Sequence, residues 1–279
     1  MRALVSSIYG LASEDGLVTS NPATGVTRYG ETSRDRFLQA DELPRFFAAV
    51  GQEPNDIIRH FFLLSLLTGA RRANVMAMRW NQINLDEGIW RIPDTKNGTP
   101  QNVTLSPEAA AILATRKETA DGAFVFPGDG KSGHLIEPKK GWDRIFDRDE
   151  LTQLMARIRA AGGAFVVQEY EHLAGALKRA RATAKRLKLD TEGTRIDDPD
   201  PLRIHDLRRT LGSWQAKQGA SLAIIGKSLN HKSQQATAIY ARLDLDPVRA
   251  SVNQATAAMM AAAGVKKSAE VKPIRKARA

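Results

Sequence analysis

The segment from Ile57 to Thr68, IIRHFFLLSLLT, is apolar around the whole circumference of a helix instead of along one stripe. A helix of this kind has to be covered on every side, so it belongs at the centre of a multi-helix core, and Gly69 is placed to end it. The flanking sequence reads mostly as helix. Gln39-Ala40-Asp41-Glu42-Leu43-Pro44 is a capped helix start, and Arg72 to Met78 is a short helix after the glycine. Ser106-Pro107-Glu108 opens another through Lys117, with serine as cap and proline at the first helical position. Strand is a minor component: Gly88 to Pro93 pairs with Val103-Thr104-Leu105 across a hairpin loop at Asp94 to Pro100. Helical patterns then cover Trp142 to Leu189 with a break at Gly162-Gly163, His205 to Gln218, Ser221 to Leu229, Ser233 to Leu243 and Asp246 to Ala263, with Gly219 as a stop. The expected fold class is mainly α with a small antiparallel β-sheet (α+β).

Before this core, Leu4, Val5, Ile8, Leu11 and Ala12 recur at helical spacing ahead of the turn signals Thr19-Ser20-Asn21-Pro22. One helix has nothing local to pack on, and Gly25 to Asp35 is polar and aperiodic, so a boundary falls near residue 34. At the other end, residues 266–279 hold six basic side chains and one acidic one, which reads as a basic disordered tail. The expected organisation is residues 1–33, residues 34–265 and residues 266–279.

A chain of 279 residues has room for one large domain or two modest ones, and 42% hydrophobic with 26% charged residues excludes the disordered and fibrous classes. The absence of cysteine removes disulfides, thiolate zinc sites and a cysteine nucleophile together. A net charge of +10 favours a polyanion, nucleic acid ahead of an anionic membrane. No apolar run approaches the ~20 residues of a membrane span, and MRALVSSIYG lacks the apolar core of a signal peptide. An intracellular, cytoplasmic protein acting on nucleic acid is the expectation.

Four short segments set basic residues beside turn signals: Thr68-Gly69-Ala70-Arg71; Thr95-Lys96-Asn97-Gly98; His205-Asp206-Leu207-Arg208-Arg209-Thr210; and Leu229-Asn230-His231-Lys232, with Tyr240 nine positions after the histidine. Taken singly, each has an ordinary structural explanation. Arg71 suits a surface or capping arginine, and Lys96 a solvated hairpin tip. His205 and Arg208 share a helix face that could equally be salt-bridged through Asp206, with Arg209 pointing elsewhere. His231 suits a cap, and Tyr240 a half-buried residue on an amphipathic helix.

In order, Arg71, Lys96, His205-x-x-Arg208, His231 and Tyr240 resemble the catalytic set of the tyrosine recombinase (phage integrase) family. The resemblance extends over roughly residues 34 to 263 and includes Arg36-Phe37-Leu38 with Asp41-Glu42-Leu43, Met78-Arg79-Trp80, and Ile239-Tyr240-Ala241-Arg242. Ile8-Tyr9 and Asn21-Pro22-Ala23 resemble the last helix of the family's core-binding domain, so residues 1–33 are expected to be the remnant of such a domain plus a linker. The resemblance implies the catalytic-domain fold, double-stranded DNA as partner, and strand exchange without ATP through a covalent 3′-phosphotyrosine, in integration or excision of a mobile element of prokaryotic or phage origin. It implies neither cofactor nor metal.

The residue types suit that chemistry. A phosphodiester attacked in line gathers charge on its non-bridging oxygens, and a planar guanidinium holds two such oxygens and stays charged, which makes Arg71 and Arg208 the clamp and His231 a further donor. A phenol with an ordinary pKa near 10 needs positive charge or a base to attack at neutral pH; the arginines supply the charge to Tyr240, and His205 can accept or orient the proton. Lys96 can protonate the leaving 5′ oxygen.

Asn74 stands where the family commonly has an acidic residue, and its amide can hydrogen-bond but not pair charge. The segment from Trp142 to Pro201 is longer than the resemblance requires, and its basic stretch Lys178 to Lys188 suits either an added DNA-backbone contact or a solvated face. In the C-terminal helix, Val248, Val252, Ala255 and Met259 form a stripe that fits core packing within a monomer or, as the resemblance implies, docking on a neighbouring protomer in a tetramer on DNA. Competing functions are a type IB topoisomerase-like strand transferase, against which the small size counts, and a truncated or decayed integrase that binds DNA without catalysis. A metal nuclease would need grouped carboxylates, and Asp197-Asp198-Asp200 reads as a solvated turn.

Overall fold

The computed structural model describes residues 2–27, 30, 34–94, 98–242 and 245–262, with the backbone alone for residues 234, 241, 242 and 245–250. The chain divides into two compact units, Met1–Asp35 and Arg36–Ala279. In the first, helix α1 (Arg2–Glu14) has no buried residue and contains all five apolar positions from Leu4 to Ala12. Asn21 ties the following turn back to it, donating from Nδ2 to the Ser6 carbonyl at 3.2 Å.

The second unit is built around α3 (Asp56–Thr68), which follows α2 (Glu42–Gly51). Phe61, Phe62 and Leu64 are completely buried, as an all-round apolar helix demands, and Gly69 ends α3 in the left-handed region at φ 58°. The start of α2 differs from the sequence expectation: Asp41 makes no side-chain cap, and the Glu42 carboxylate accepts the Gln39 N–H at 2.7 Å while pairing with Arg36 at 2.6 Å. Helix α4 is Arg72–Met76, two residues shorter at its end than the pattern suggests.

A three-stranded antiparallel sheet follows, β1 (Ile83–Asn84), β2 (Ile89–Ile92) and β3 (Gln101–Thr104), in the order β1-β2-β3. Trp90 pairs with Val103 and both face the core, so the alternation of β2 and β3 sets the register. The short strand β1 carries too little periodicity to be seen in the sequence. Helix α5 (Pro107–Glu118) starts as expected, with Ser106 Oγ accepting the Ala109 N–H.

Helices α6 (Lys139–Ala160) and α7 (Leu173–Arg186) form a hairpin with its own small core of Leu151, Leu154, Ile158, Leu177 and alanines of α7. The first half of α6 belongs to the main core, where Trp142 and Phe146 pack edge to face at 4.9 Å. Glu53, fully buried before α3, binds it there through Arg144 at 2.7 Å and Arg148 at 2.6 Å.

Helix α8 (Ile204–Lys217) lies against α3 and is held to the entry of the unit by two buried contacts at Leu38. The Leu38 N–H donates to Thr210 Oγ1 at 3.0 Å, and Trp214 Nε1 donates to the Leu38 carbonyl at 3.1 Å. Helix α9 (Leu222–Ser228) follows. The Ser233 to Leu243 segment is not one helix: α10 (Gln234–Thr237) gives way to a 3-10 turn at Ala238–Arg242, then α11 (Leu245–Ala262) begins.

Candidate active site

The turn after α3 meets Arg208 of α8 and, through Arg71, the chain after α9. Gly69 is needed there twice over. It takes a left-handed conformation, and a Cβ on it would stand 2.8 Å from both Leu211 Cδ2 and Leu229 Cδ2, so any side chain there would make these two leucines shift. Its carbonyl accepts a 2.6 Å hydrogen bond from Arg208 Nη1, and the Leu229 carbonyl accepts one from Arg208 Nη2. Arg208, 4% exposed, is thus fixed between the ends of α3 and α9. Arg71 lies in extended backbone ahead of α4; its Nη2 donates to the Asn230 carbonyl at 3.3 Å, and its buried Nη1 has no acceptor among the described residues.

His205 stands one turn before Arg208 on α8 and is exposed. Asp206 is occupied elsewhere, accepting from Arg209 at 2.6 Å and from the Arg203 N–H at 2.8 Å. The salt-bridged face considered for His205 and Arg208 therefore involves Arg209. Neither Arg71 nor Arg208 forms an ion pair among the described residues; both donate only to main-chain carbonyls. Two guanidiniums without a carboxylate make a local concentration of positive charge suited to an anion.

Asn230, at φ 51°, turns the chain after α9, and the His231 N–H closes that turn on the Gly226 carbonyl at 2.9 Å. The His231 ring lies nearly parallel to Tyr240, at 6° and 6.2 Å between centroids, and its Nδ1 is 3.0 Å from Thr237 Oγ1. Tyr240 is 3% exposed, more deeply buried than its sequence suggests, in a small cluster with Ile225 and Leu229. Its ring rests on α8 at Gly212, where a Cβ would come within 2.6 Å of Tyr240 Cζ.

Burial and the neighbouring charges act together on titration. Arg208 is pushed down to about 10, by burial first and then by repulsion from Arg71. His231 is lowered to about 4 by burial and by Arg208, Arg71 and His205. His205 is shifted down by desolvation and by Arg208 and Arg209, so both histidines are neutral at neutral pH. The Tyr240 phenol moves up instead: Arg208 and Arg209 pull it down, but burial outweighs them. The positive charge expected to act on Tyr240 is present but outweighed by burial, so the phenol keeps its proton at neutral pH.

Lys96 lies outside the described residues, as does the tail at residues 266–279. Asn74 is half-buried with no partner for Nδ2 among the described residues, so the hydrogen bond open to its amide is not made there. Asp197 is not a free solvated carboxylate: it pairs with Arg195 at 2.6 Å. Two neighbours of the expected residues were missed, Gly212 and Thr237. A glycine inside a helix four positions after Arg208, against its intrinsic propensity, was the available signal for the first.

The phage integrase family model matches residues 36–246, well over half of the chain, and the chain belongs to that family. It is 36% identical over 116 residues to a shufflon-specific DNA recombinase of Escherichia coli, a match covering 40% of this chain and 29% of that one. It is 29% identical over 125 residues to prophage integrase IntF of Escherichia coli, covering 43% and 27%. A tyrosine recombinase XerA of Saccharolobus solfataricus is 26% identical over 186 residues, covering 67% and 46%. The matches thus span under a third of the length of the first two relatives. Among solved structures, a Tn1549 transposon integrase in complex with a circular intermediate DNA superposes with a TM-score of 0.59 at 12% identity, covering 91% of this chain and 77% of that one. A XerA recombinase superposes with a TM-score of 0.51 at 15% identity, covering 90% and 73%. These likenesses establish the mainly helical catalytic-domain fold with its small sheet.

Proposed function

We propose that this protein is a tyrosine-type site-specific DNA recombinase, an enzyme that breaks and rejoins DNA strands in the integration or excision of a mobile element. The observation that carries this reading is a pair of neighbouring guanidiniums, Arg71 and Arg208, brought in from distant segments with no carboxylate partner among the described residues, Arg208 acting on the buried phenol of Tyr240. The two arginines hold the non-bridging oxygens of the scissile phosphate, supplying the charge that a divalent ion supplies in other phosphoryl transfers, and His231 donates a further hydrogen bond. Tyr240 Oη attacks phosphorus as its proton passes to His205; the P–O5′ bond breaks, and Lys96 protonates the departing 5′ oxygen. The 3′-phosphotyrosine keeps the bond energy, and a 5′ hydroxyl of a second strand reverses the step.

Residues 1–33 are read as core-binding-domain sequence with its linker, residues 34–265 as the catalytic domain with the longer helical segment 142–201, and residues 266–279 as a basic tail. Double-stranded DNA is the substrate, which places the protein in the cytoplasm on the nucleoid. Lys178 and Lys185 on α7 and Lys188 in the turn after it are exposed without a carboxylate partner among the described residues, whereas Arg179 and Arg181 are paired with Glu171 and Glu150. The unpaired face adds a contact to the DNA backbone. Helix α11 exposes Val252 at 57% and Met259 at 63%, which supports docking on a neighbouring protomer in a tetramer on DNA over core packing in the monomer.

The test is a suicide DNA substrate that traps the covalent intermediate, with mapping of the attached residue. Attachment at Tyr240 is expected, lost in Tyr240→Phe with DNA binding retained and insensitive to excess chelator. Binding without any adduct would assign a DNA-binding protein without catalysis. Supercoil relaxation without partner exchange would assign a topoisomerase-like strand transferase.

A further inference from the structure

We propose that Thr237 is a positioning residue that fixes the tautomer of His231, so that the ring's single N–H is on Nε2. The proposal rests on the reading of His231 as a donor to the scissile phosphate. Thr237 is 2% exposed, and His231 Nδ1, at 3.0 Å, is the one hydrogen-bond partner of its hydroxyl among the described residues. Space for that hydroxyl exists because residue 226 has no side chain: a Cβ on Gly226 would stand 3.1 Å from Thr237 Oγ1.

The direction of the hydrogen bond follows from satisfying both groups. Were Nδ1 protonated, it would donate to Oγ1, and the hydroxyl hydrogen would be buried with no acceptor, at the full cost of its desolvation. With Nδ1 bare, the hydroxyl donates and neither group is left wanting. The neutral ring, disfavoured as a cation by burial and by Arg208, Arg71 and His205, then has its proton on Nε2, which has no partner among the described residues. Tyr240, parallel to the ring, restrains its plane from one side. Thr237 thereby keeps a donor available for a phosphate oxygen without touching DNA itself.

Nitrogen NMR of histidine-labelled protein near pH 7, with the His231 signals identified by their loss in His231→Gln, reads the tautomer directly. The wild type and Thr237→Ser are expected to be protonated at Nε2, and Thr237→Val, which replaces the hydroxyl by a methyl of similar shape, to lose that preference. Adduct formation on the suicide substrate is expected to slow about tenfold or more in Thr237→Val, the factor that one misdirected hydrogen bond is worth, and to stay within about threefold in Thr237→Ser. DNA affinity and melting temperature serve as controls that the valine variant is folded. An Nδ1-protonated His231 in the wild type overturns the proposal, as does a folded Thr237→Val protein with an unchanged tautomer. If no protein forms an adduct, the reading of Tyr240 as nucleophile fails while the NMR measurement still decides the tautomer.

Discussion

Arg208 and Tyr240 belong to one site, but the structure that holds them differs in kind. Arg208 projects from α8, whose Leu207 is part of the main core with α3, and its guanidinium is tied to two main-chain carbonyls. Tyr240 sits on a 3-10 turn, in a cluster whose fully buried members are Ile225, Leu229 and the tyrosine itself, and the helix after it is exposed from residue 251 to 262. The arginine half is held by the whole core, and donors held so need no rearrangement as charge develops, which is what the proposed electrostatic catalysis requires. The tyrosine half has little buried apolar area behind it, so it can be moved at small cost to the fold.

The core half breaks first with Phe62→Ala, a truncation at a completely buried site, expected to cost about 3–5 kcal/mol of stability in denaturant titration. Arg208→Ala leaves two carbonyl acceptors without their donor; a loss of about 1–3 kcal/mol for each acceptor left dry is expected, together with loss of the covalent adduct. Gly212→Val should separate the halves. Its added atoms displace the Tyr240 ring and reduce adduct formation by about tenfold or more, while the overpacking costs about 1–3 kcal/mol. Equal loss of DNA binding and adduct in that variant would erase the distinction between the halves.

Met259→Asp, at an exposed position, should change monomer stability by no more than about 0.5 kcal/mol yet weaken assembly on DNA, as read by sedimentation of the complex. The last comparison concerns pH. His231 and His205 have lowered pKa values in the folded state, so the unfolded chain binds more protons below the ordinary value of 6.5. Thermal stability should therefore fall as pH drops from about 6.5 towards 4, and His231→Gln should flatten that decline.

Much of the fold is legible where periodicity is strong. The buried helix α3, the hairpin of β2 and β3 and the serine cap of α5 all follow from local pattern. The segment after His231 does not, because a run of helix-compatible residues there carries no signal for the change from α10 to a 3-10 turn, which packing of Tyr240 against Gly212 accompanies. The partners of Arg208 were equally out of reach: helix spacing points Arg209 at Asp206, three positions before it, but nothing local says that Arg208 meets the Gly69 and Leu229 carbonyls.

By itself the sequence determined the residue types, their order and the central helix, since these depend on composition and on repeats of a few residues. It therefore pointed to positive charge, a tyrosine and the family. The tertiary structure alone decided that Arg71 and Arg208 lack carboxylate partners among the described residues, that Tyr240 is buried enough for its phenol to be shifted up, and that Thr237 meets His231. Each of these is set by contacts between surfaces whose local sequences do not encode one another: the end of α3, the first turns of α8 and the turn after α9. Proximity there comes from how the core packs, which no local pattern records.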